Sequence, residues 1–280
     1  MTKRLLVTTL AVQLALFAAP AEKKLAIVAV AFAQFDDGPP TAHDEQFVPG
    51  ETLFFRCQVE GYKKSDKDEV HLTYQVEAAD ASGVALRETE SGKVEATLSQ
   101  EDKNWMPKIR YTVVVPPLAE SGQYHVLVKV KDELSGTAVE ERATFLVTGR
   151  DVAPSDTLAV RNFRFFRGEN DAAPLQVAAY RPGDALWARF DMTGYKIGEK
   201  NLFDIEYGLV VLRADGSTAY SQPEAATAKE APFYPQRYQP GELNLNMPKD
   251  IATGVYTIVL TVRDNLGNQT AETREKFSIE

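Results

Sequence analysis

The sequence predicts an all-β protein built from two tandem antiparallel β-sandwich domains that arose by internal duplication. Three observations carry this prediction. Landmark residues recur in the same order in the two halves of the chain. Apolar and polar residues alternate within short segments, which is the pattern of half-buried strands. Beyond the N-terminal region no segment keeps an apolar stripe at helical spacing, and the one helix-prone patch, residues 225–229, is confined by Pro223 and Pro232.

The duplication is visible as blocks that recur at a fixed offset. The offset is 133 for Pro49-Gly50-Glu51 with Pro182-Gly183-Asp184 and for Gly61-Tyr62-Lys63 with Gly194-Tyr195-Lys196. Further on it becomes 132, for Pro116 with Pro248, Gly122-x-Tyr124 with Gly254-x-Tyr256, and Asp132 with Asp264. Ordered landmarks with a single insertion or deletion predict two copies of one structural unit.

The repeat also predicts the domain boundaries. Residues 22–148 form the first sandwich, residues 149–156 a linker, and residues 157–280 the second sandwich. Because the linker is short and contains Gly149 and Pro154, we expect the two sandwiches to sit end to end with limited freedom.

Corresponding strands show the same alternation in both copies. Apolar residues occupy every second position after each Pro-Gly block, as Leu53, Phe55, Cys57 and Val59 in one copy and Leu186, Ala188, Phe190 and Met192 in the other.

Cys57 is the only cysteine, so no disulfide can form within the chain. Since its repeat partner is Phe190, we predict a buried structural thiol.

The last hairpin of each copy carries the most specific motif. Gly122-Gln-Tyr124 and Gly254-Val-Tyr256 each precede an alternating strand and a turn that begins with Asp132 or Asp264. This pattern resembles the penultimate strand of bacterial immunoglobulin-like and fibronectin type III-like modules. The resemblance implies two immunoglobulin-like sandwiches, with Tyr124 and Tyr256 as corner tyrosines that bond to upstream backbone. It names a fold and leaves the function open.

The N-terminus predicts export. Lys3 and Arg4 precede an apolar run, and Ala19-Pro20-Ala21 offers a signal-peptidase site, so residues 1–21 are predicted as a signal peptide. A rival site follows Ala33. However, residues 25–35 resemble the start of copy two in their Leu-Ala and Phe-x-x-Phe landmarks, with Phe32 and Phe35 matched to Phe163 and Phe166. Cleavage after Ala33 would remove a strand and expose a sheet edge, which favours the earlier site.

Composition narrows the classes of partner. Lys and Arg number 31 against 40 Asp and Glu, a net charge of −9. Such a balance argues against a nucleic-acid binder, because phosphate recognition needs a basic surface. After the signal region no apolar stretch is long enough to span a bilayer, and we expect no membrane span in the mature chain.

Aromatic residues beside arginines suggest a binding surface in copy two. Trp187 and Arg189 fall on the outward register of a strand, and Tyr195 lies just after its end. A proline-framed loop adds Phe233, Tyr234, Arg237 and Tyr238. Such aromatics can stack on a sugar ring or anchor a protein partner. The alternative is that the strand is covered on both faces, by a loop or by the other copy.

No catalytic motif stands out, and we predict a protein that is not an enzyme. The three histidines, His43, His71 and His125, lack metal-motif spacing. No cofactor is expected, although calcium is an option at Asp36-Asp37 and at the loop Asp264-Asn265-Leu266-Gly267-Asn268. The same residues equally suit tight turns.

Together these features predict an interaction or structural protein of the bacterial periplasm or cell surface, with an unknown protein or glycan as its partner. The alternative is a carbohydrate-binding accessory protein that uses the aromatic residues of copy two.

Overall fold

The computed structural model describes residues 23–42, 45–102 and 104–280. Within these ranges, apart from two short 3₁₀ turns, every regular element is a β-strand. The predicted signal peptide, residues 1–21, lies outside the described residues, as does His43. The prediction of an all-β fold is confirmed.

Among the residues that the structure describes, the first unit contains eight strands. They are β1 (Ala26–Ala33), β2 (Gln46–Phe47), β3 (Thr52–Glu60), β4 (Glu69–Ala79), β5 (Glu90–Thr97), β6 (Lys108–Val114), β7 (Gly122–Asp132) and β8 (Ala138–Val147).

The second unit repeats this series. Its strands are β9 (Ala159–Phe166), β10 (Ala179–Tyr180), β11 (Ala185–Thr193), β12 (Phe203–Leu212), β13 (Thr218–Glu230), β14 (Tyr238–Asn246), β15 (Gly254–Asp264) and β16 (Gln269–Ile279). Residues 148–158 connect the two units.

The two units share one topology. Each has a three-stranded sheet, β1-β3-β6 or β9-β11-β14, and a five-stranded sheet, β2-β8-β7-β4-β5 or β10-β16-β15-β12-β13. The short strands β2 and β10 pair in parallel with β8 and β16, and the other pairs are antiparallel. In each unit the inward residues of both sheets form one apolar core.

The register corrects one detail of the sequence alignment. Phe32 pairs with Phe55, and Phe165 pairs with Ala188, so Phe32 corresponds to Phe165 and not to Phe163. The first strand of both units is interrupted by a bulge whose central residue, Ala29 or Asn162, has φ near 50°. Because the bulge is shared, a constant offset of 133 aligns the strands on both sides of it.

The repeated Gly-Tyr-Lys block has a steric reason. Gly61 and Gly194 have φ of 70° and 74°. A Cβ atom at either residue would lie 2.1 Å from the carbonyl oxygen of Lys24 or Thr157. Only glycine therefore lets the chain pass this closely to the residues just before β1 and β9.

Cys57 lies in the core of the first unit and is fully buried. Burial, together with the negative charge of Glu141, raises the pKa of its thiol to about 12. The thiol is therefore protonated at neutral pH and acts as a small apolar side chain.

Candidate functional site: the joint between the two sandwiches

The proline-framed loop predicted to bind a partner lies against the first sandwich. Tyr234 is buried and belongs to the apolar core of the first unit, although it comes from the loop before β14. Its hydroxyl donates to Oδ2 of Asp80 at 2.9 Å. This loop is therefore the main contact between the two units.

Asp80 is built to accept this bond. It lies in the turn after β4, where its Oδ1 accepts the backbone N–H groups of Ser82 and Val84 at 2.9 Å each. Burial raises the pKa of Asp80, but hydrogen bonds from Ser82, Val84 and Tyr234 outweigh it and leave the pKa below the usual range. Tyr234 thus meets a charged acceptor, which makes a stronger hydrogen bond than a neutral one.

Arg237 adds an ion pair to the same contact. Its Nη1 donates to Glu120 at 2.9 Å, and its Nη2 donates to the Ser82 hydroxyl at 3.3 Å and lies 3.8 Å from Asp80. Since its side chain is nearly half exposed, we assign this pair a smaller contribution than the Tyr234 bond.

Tyr195 and Tyr238 hold the loop on its own unit. Tyr195 is buried, and its hydroxyl donates to the carbonyl of Gln236 at 2.6 Å. Tyr238 is buried at the start of β14, opposite Thr193 of β11. Burial raises the pKa of both tyrosines. These two predicted binding residues therefore serve to position the loop.

The linker is attached at both ends. On the first unit, the backbone N–H of Gly149 donates to the Ser121 hydroxyl at 3.0 Å. On the second unit, Arg150 lies 3.2 Å from Oδ2 of Asp191, and Asn162 donates to the same oxygen at 2.9 Å and to the carbonyl of Asp151 at 3.2 Å. We call Arg150, Asn162 and Asp191 the linker clasp.

Asp191 is the unusual member of the clasp. It is fully buried, and its Oδ1 has no hydrogen-bond partner among the described residues. Burial raises its pKa, while the bond from Asn162 and the charge of Arg150 act in the opposite direction. Gln58 and Ala29 take the places of Asp191 and Asn162 in the first unit, so the clasp residues are particular to the unit that follows the linker.

The outward face around Trp187 is largely covered. Trp187 is half-buried beside Phe166 of β9. The guanidinium of Arg189 stacks over the Phe166 ring at 4.2 Å, and it donates to the carbonyls of Glu169 and Asp171 in the loop after β9. Arg189 is therefore engaged inside the second unit, in accordance with the covered alternative.

Phe233 is the most exposed aromatic residue of the predicted set. It is 53% exposed, in contrast to its buried neighbour Tyr234. It borders a groove of about 240 Å³ between the two units. The opposite wall includes Val114, which is 52% exposed, together with Pro117 and Leu118.

The residues considered for calcium are used within the chain. Asp264 is buried; its Oδ1 accepts the N–H of Gly267 at 2.9 Å, and its Oδ2 accepts the N–H of Lys196 at 2.8 Å. Asp37 pairs with Lys108 at 2.7 Å and Arg110 at 2.6 Å. Among the described residues no group of three His, Cys, Asp or Glu side chains is arranged to hold a metal ion.

Tyr124 and Tyr256 occupy equivalent corners. The hydroxyl of Tyr124 donates to the carbonyl of Glu120 at 2.9 Å, and that of Tyr256 to the carbonyl of Ala252 at 2.8 Å. Each bond reaches four residues upstream, across the corner that precedes β7 or β15. The first corner also presents the Glu120 side chain to Arg237, so it belongs to the joint as well.

Sequence reasoning missed the acceptor side of the joint. Asp80, Glu120 and Asp191 carry it, and none of them forms a motif. A signal was nevertheless present, because the repeat partners of these acidic residues are Arg213, Ala252 and Gln58. At each of these three positions, the acidic residue that contributes to the joint in one copy is replaced by a residue that is not acidic in the other copy.

Within the described part of the chain, no helix is long and apolar enough to cross a bilayer. No model of a known protein family matches the chain, and no curated protein matches it either.

Comparison with solved structures gives distant likenesses. The C-terminal domain of the antigen I/II polypeptide BspA of Streptococcus agalactiae aligns over 91% of this chain and 99% of its own, at 13% identity and a TM-score of 0.31. The corresponding domain of AspA of Streptococcus pyogenes aligns over 92% of this chain and 99% of its own, at 11% identity and a TM-score of 0.30. A family 123 glycoside hydrolase of Clostridium perfringens aligns over 44% of this chain and 27% of its own, at 11% identity and a TM-score of 0.31. With TM-scores this low, the fold rests on the strand order described above.

Proposed function

We propose that the chain is an exported, non-enzymatic interaction protein of the bacterial periplasm or cell surface, in which two immunoglobulin-like sandwiches act as one rigid body. The joint is the observation that carries this proposal. Domains joined by a bare linker move independently by default. Here Tyr234 enters the core of the neighbouring unit, and its hydroxyl bonds to a charged, buried acceptor.

Three separate ties support a fixed geometry. They are the Tyr234–Asp80 bond, the Arg237–Glu120 pair and the linker clasp at Asp191. The first two ties come from one loop of the second unit but reach two different turns of the first unit, and the clasp fixes the linker, so together they restrain rotation as well as separation. A rigid tandem can present a binding surface at a defined distance from whatever holds its other end.

Carbohydrate binding remains the alternative function. This function would use Trp187, Arg189 and the proline-framed loop. Of these aromatics Phe233 is open and Trp187 is half-buried, while Arg189 is engaged in its own unit. A glycan array with Trp187→Ala and Phe233→Ala variants tests this alternative: binding that either variant abolishes in a folded protein would favour it.

Affinity isolation from the native envelope fraction tests the main proposal. The full mature chain should retain a discrete protein. A matched variant, Tyr234→Ala with Arg237→Ala, should retain less if the two units must be held together. If the intact chain retains no protein, the interaction role is refuted.

Export is tested separately by N-terminal sequencing of the secreted chain. We expect a start at Glu22, because cleavage after Ala33 would remove β1, which pairs with β3 along its length. A start at Gln34 would contradict this choice of cleavage site.

A further inference from the structure

The groove at the joint is apolar on both walls. One wall is Phe233 with Pro232, and the other is Val114 with Pro117 and Leu118. The groove continues the contact between the two units, because the buried ring of Tyr234 lines it as well. Yet Phe233 and Val114 each leave more than half of their surface in solvent. Adjacent exposed apolar side chains of this kind mark interaction sites more often than isolated ones do.

The sister copy provides an internal control for this surface. The partners of Val114, Pro117 and Leu118 in the second unit are Asn246, Lys249 and Asp250, and all three are exposed. The loop that corresponds to the Phe233 loop begins with Leu98-Ser-Gln-Glu-Asp102. At the three positions that end β6 and form the turn after it, the first unit therefore carries apolar residues at the groove and the second unit carries polar residues, whereas the loop itself continues with the apolar Trp105 and Met106 in the first unit.

Contact between the two units does not explain this difference fully. Tyr234, Leu86 and Pro116, which also line the groove, are buried, whereas Val114 and Phe233 are not. The side chains of Val114 and Phe233 are therefore open to a second surface.

The backbone beside the groove is also open. Within the described part of the chain, strand β6 is an edge strand that pairs only with β3. Val115 exchanges hydrogen bonds with Gly50 and Glu51 on the β3 side, so the N–H and C=O of Val114 point the other way. On that free edge the Arg87 guanidinium already binds the carbonyl of Thr112 at 2.7 Å. The backbone N–H and C=O of Val114, which point away from β3, lie where the groove begins.

The geometry points to the groove as a docking site for an extended segment of a partner protein, one large apolar side chain of which enters between Phe233 and Leu118 while its backbone pairs at Val114. An extended segment that adds to a sheet edge and places alternate side chains in pockets is a recurring mode of peptide recognition. This inference rests on the proposed interaction role and names its surface.

Site-specific photocrosslinking tests the groove in the full-length chain. A benzophenone amino acid replaces Phe233 in one variant and Tyr220, an exposed aromatic on β13, in a matched control. Both are illuminated in the native envelope fraction. We expect position 233 to link to one discrete protein, at a residue in an apolar segment, and position 220 not to link to it.

Dependence on the groove decides the outcome. Val114→Asn with Leu118→Asp, the residues of the sister copy, should lower the crosslink at 233 at least tenfold. Val255→Asn, at another half-exposed valine, should leave it unchanged. An equal yield in the groove variant overturns the proposal, and so does a crosslink to lipid, to glycan or to a second copy of this chain. Affinity isolation keeps the two proposals distinct: a retained protein without a crosslink at 233 refutes the groove alone.

Discussion

The two sandwiches differ at the ends that meet and agree in what holds each of them together. Both have a bulge in the first strand, a corner tyrosine and a buried aspartate in the last turn. At the joint, however, Asp80 and Glu120 of the first unit correspond to Arg213 and Ala252 of the second. A duplicated domain thus retains the residues of its own fold and diverges where one copy faces the other.

The difference between these residues explains why the first unit accepts the Tyr234 loop while the far end of the second unit offers no equivalent site. Tyr234 and Arg237 need carboxylate acceptors, and the far end of the second unit carries Arg213 and Ala252 at the equivalent positions. A head-to-tail contact that repeated without closing would generate open fibres. That end of the second unit therefore lacks the acceptors that such a repeated contact would need.

The largest effect should come from the shared turn aspartates. Asp132→Ala and Asp264→Ala each remove a buried carboxylate that accepts several backbone N–H groups, including those of Lys63 and Lys196. Each should lower the free energy of unfolding of its own unit by about 3 kcal/mol, since several hydrogen bonds to a charged acceptor are lost together. Urea unfolding measures this loss. Clearly unequal losses in the two units would break the equivalence of the copies.

Acid should weaken the hydrogen bonds to Asp132 and so lower the stability of the first unit. Burial raises the pKa of Asp132, but bonds from Lys63 and Ser135 outweigh it, so its pKa is lowered in the folded state. An unfolded aspartate titrates at about 3.9. The stabilisation is therefore complete above that pH and is lost as the pH falls through the lower folded-state pKa. Asp132→Asn should abolish this part of the acid sensitivity.

The next effect concerns the joint alone. Tyr234→Phe removes the hydroxyl that bonds to charged Asp80 and should cost about 2 kcal/mol of coupling between the units. Calorimetry should show the melting transitions of the two units moving apart. Tyr220→Phe, which alters an exposed tyrosine, is the control and should change neither transition. Unchanged coupling in Tyr234→Phe would mean that this bond does not hold the joint.

A smaller effect is expected at the corners. Tyr124→Phe and Tyr256→Phe each lose one hydrogen bond to a carbonyl, worth about 1 kcal/mol. Thermal unfolding of each variant measures it. Equal stability of the Tyr256→Phe variant and the natural chain would argue against a stabilising role for that corner.

The smallest effect at neutral pH should come from Asp191→Gln, which gives the second unit the residue of the first. Because burial raises the folded-state pKa of Asp191 above its unfolded value, the natural second unit should gain stability as the pH falls through that raised pKa. The variant should lack this gain. Trypsin should also cut faster after Arg150, whose carboxylate partner is gone. A pH profile that matches the natural chain would contradict this role for the clasp.

Most residues of the candidate site can be picked out from the sequence, but the sequence does not show that they join the two units. The set that contains Phe233, Tyr234, Arg237 and Tyr238 was found from composition and prolines. Whether such side chains face a partner or a neighbouring domain depends on how the units dock, which alternation along a strand does not encode. Asp80 and Asp191 went unnoticed because one aspartate in a turn or strand resembles any other.

The fold class, the duplication and the residues that each unit needs for its own core can be read from the amino-acid sequence. These follow from short-range rules: alternation of apolar side chains, glycine where another backbone passes, and aspartate where a turn leaves N–H groups free. Two other features depend on tertiary contacts. Residues 225–229, a helix-prone patch, lie in β13 because pairing with β12 overrides local preference. The joint was decided by contacts between residues far apart in sequence, such as Tyr234 with Asp80, which no local pattern specifies.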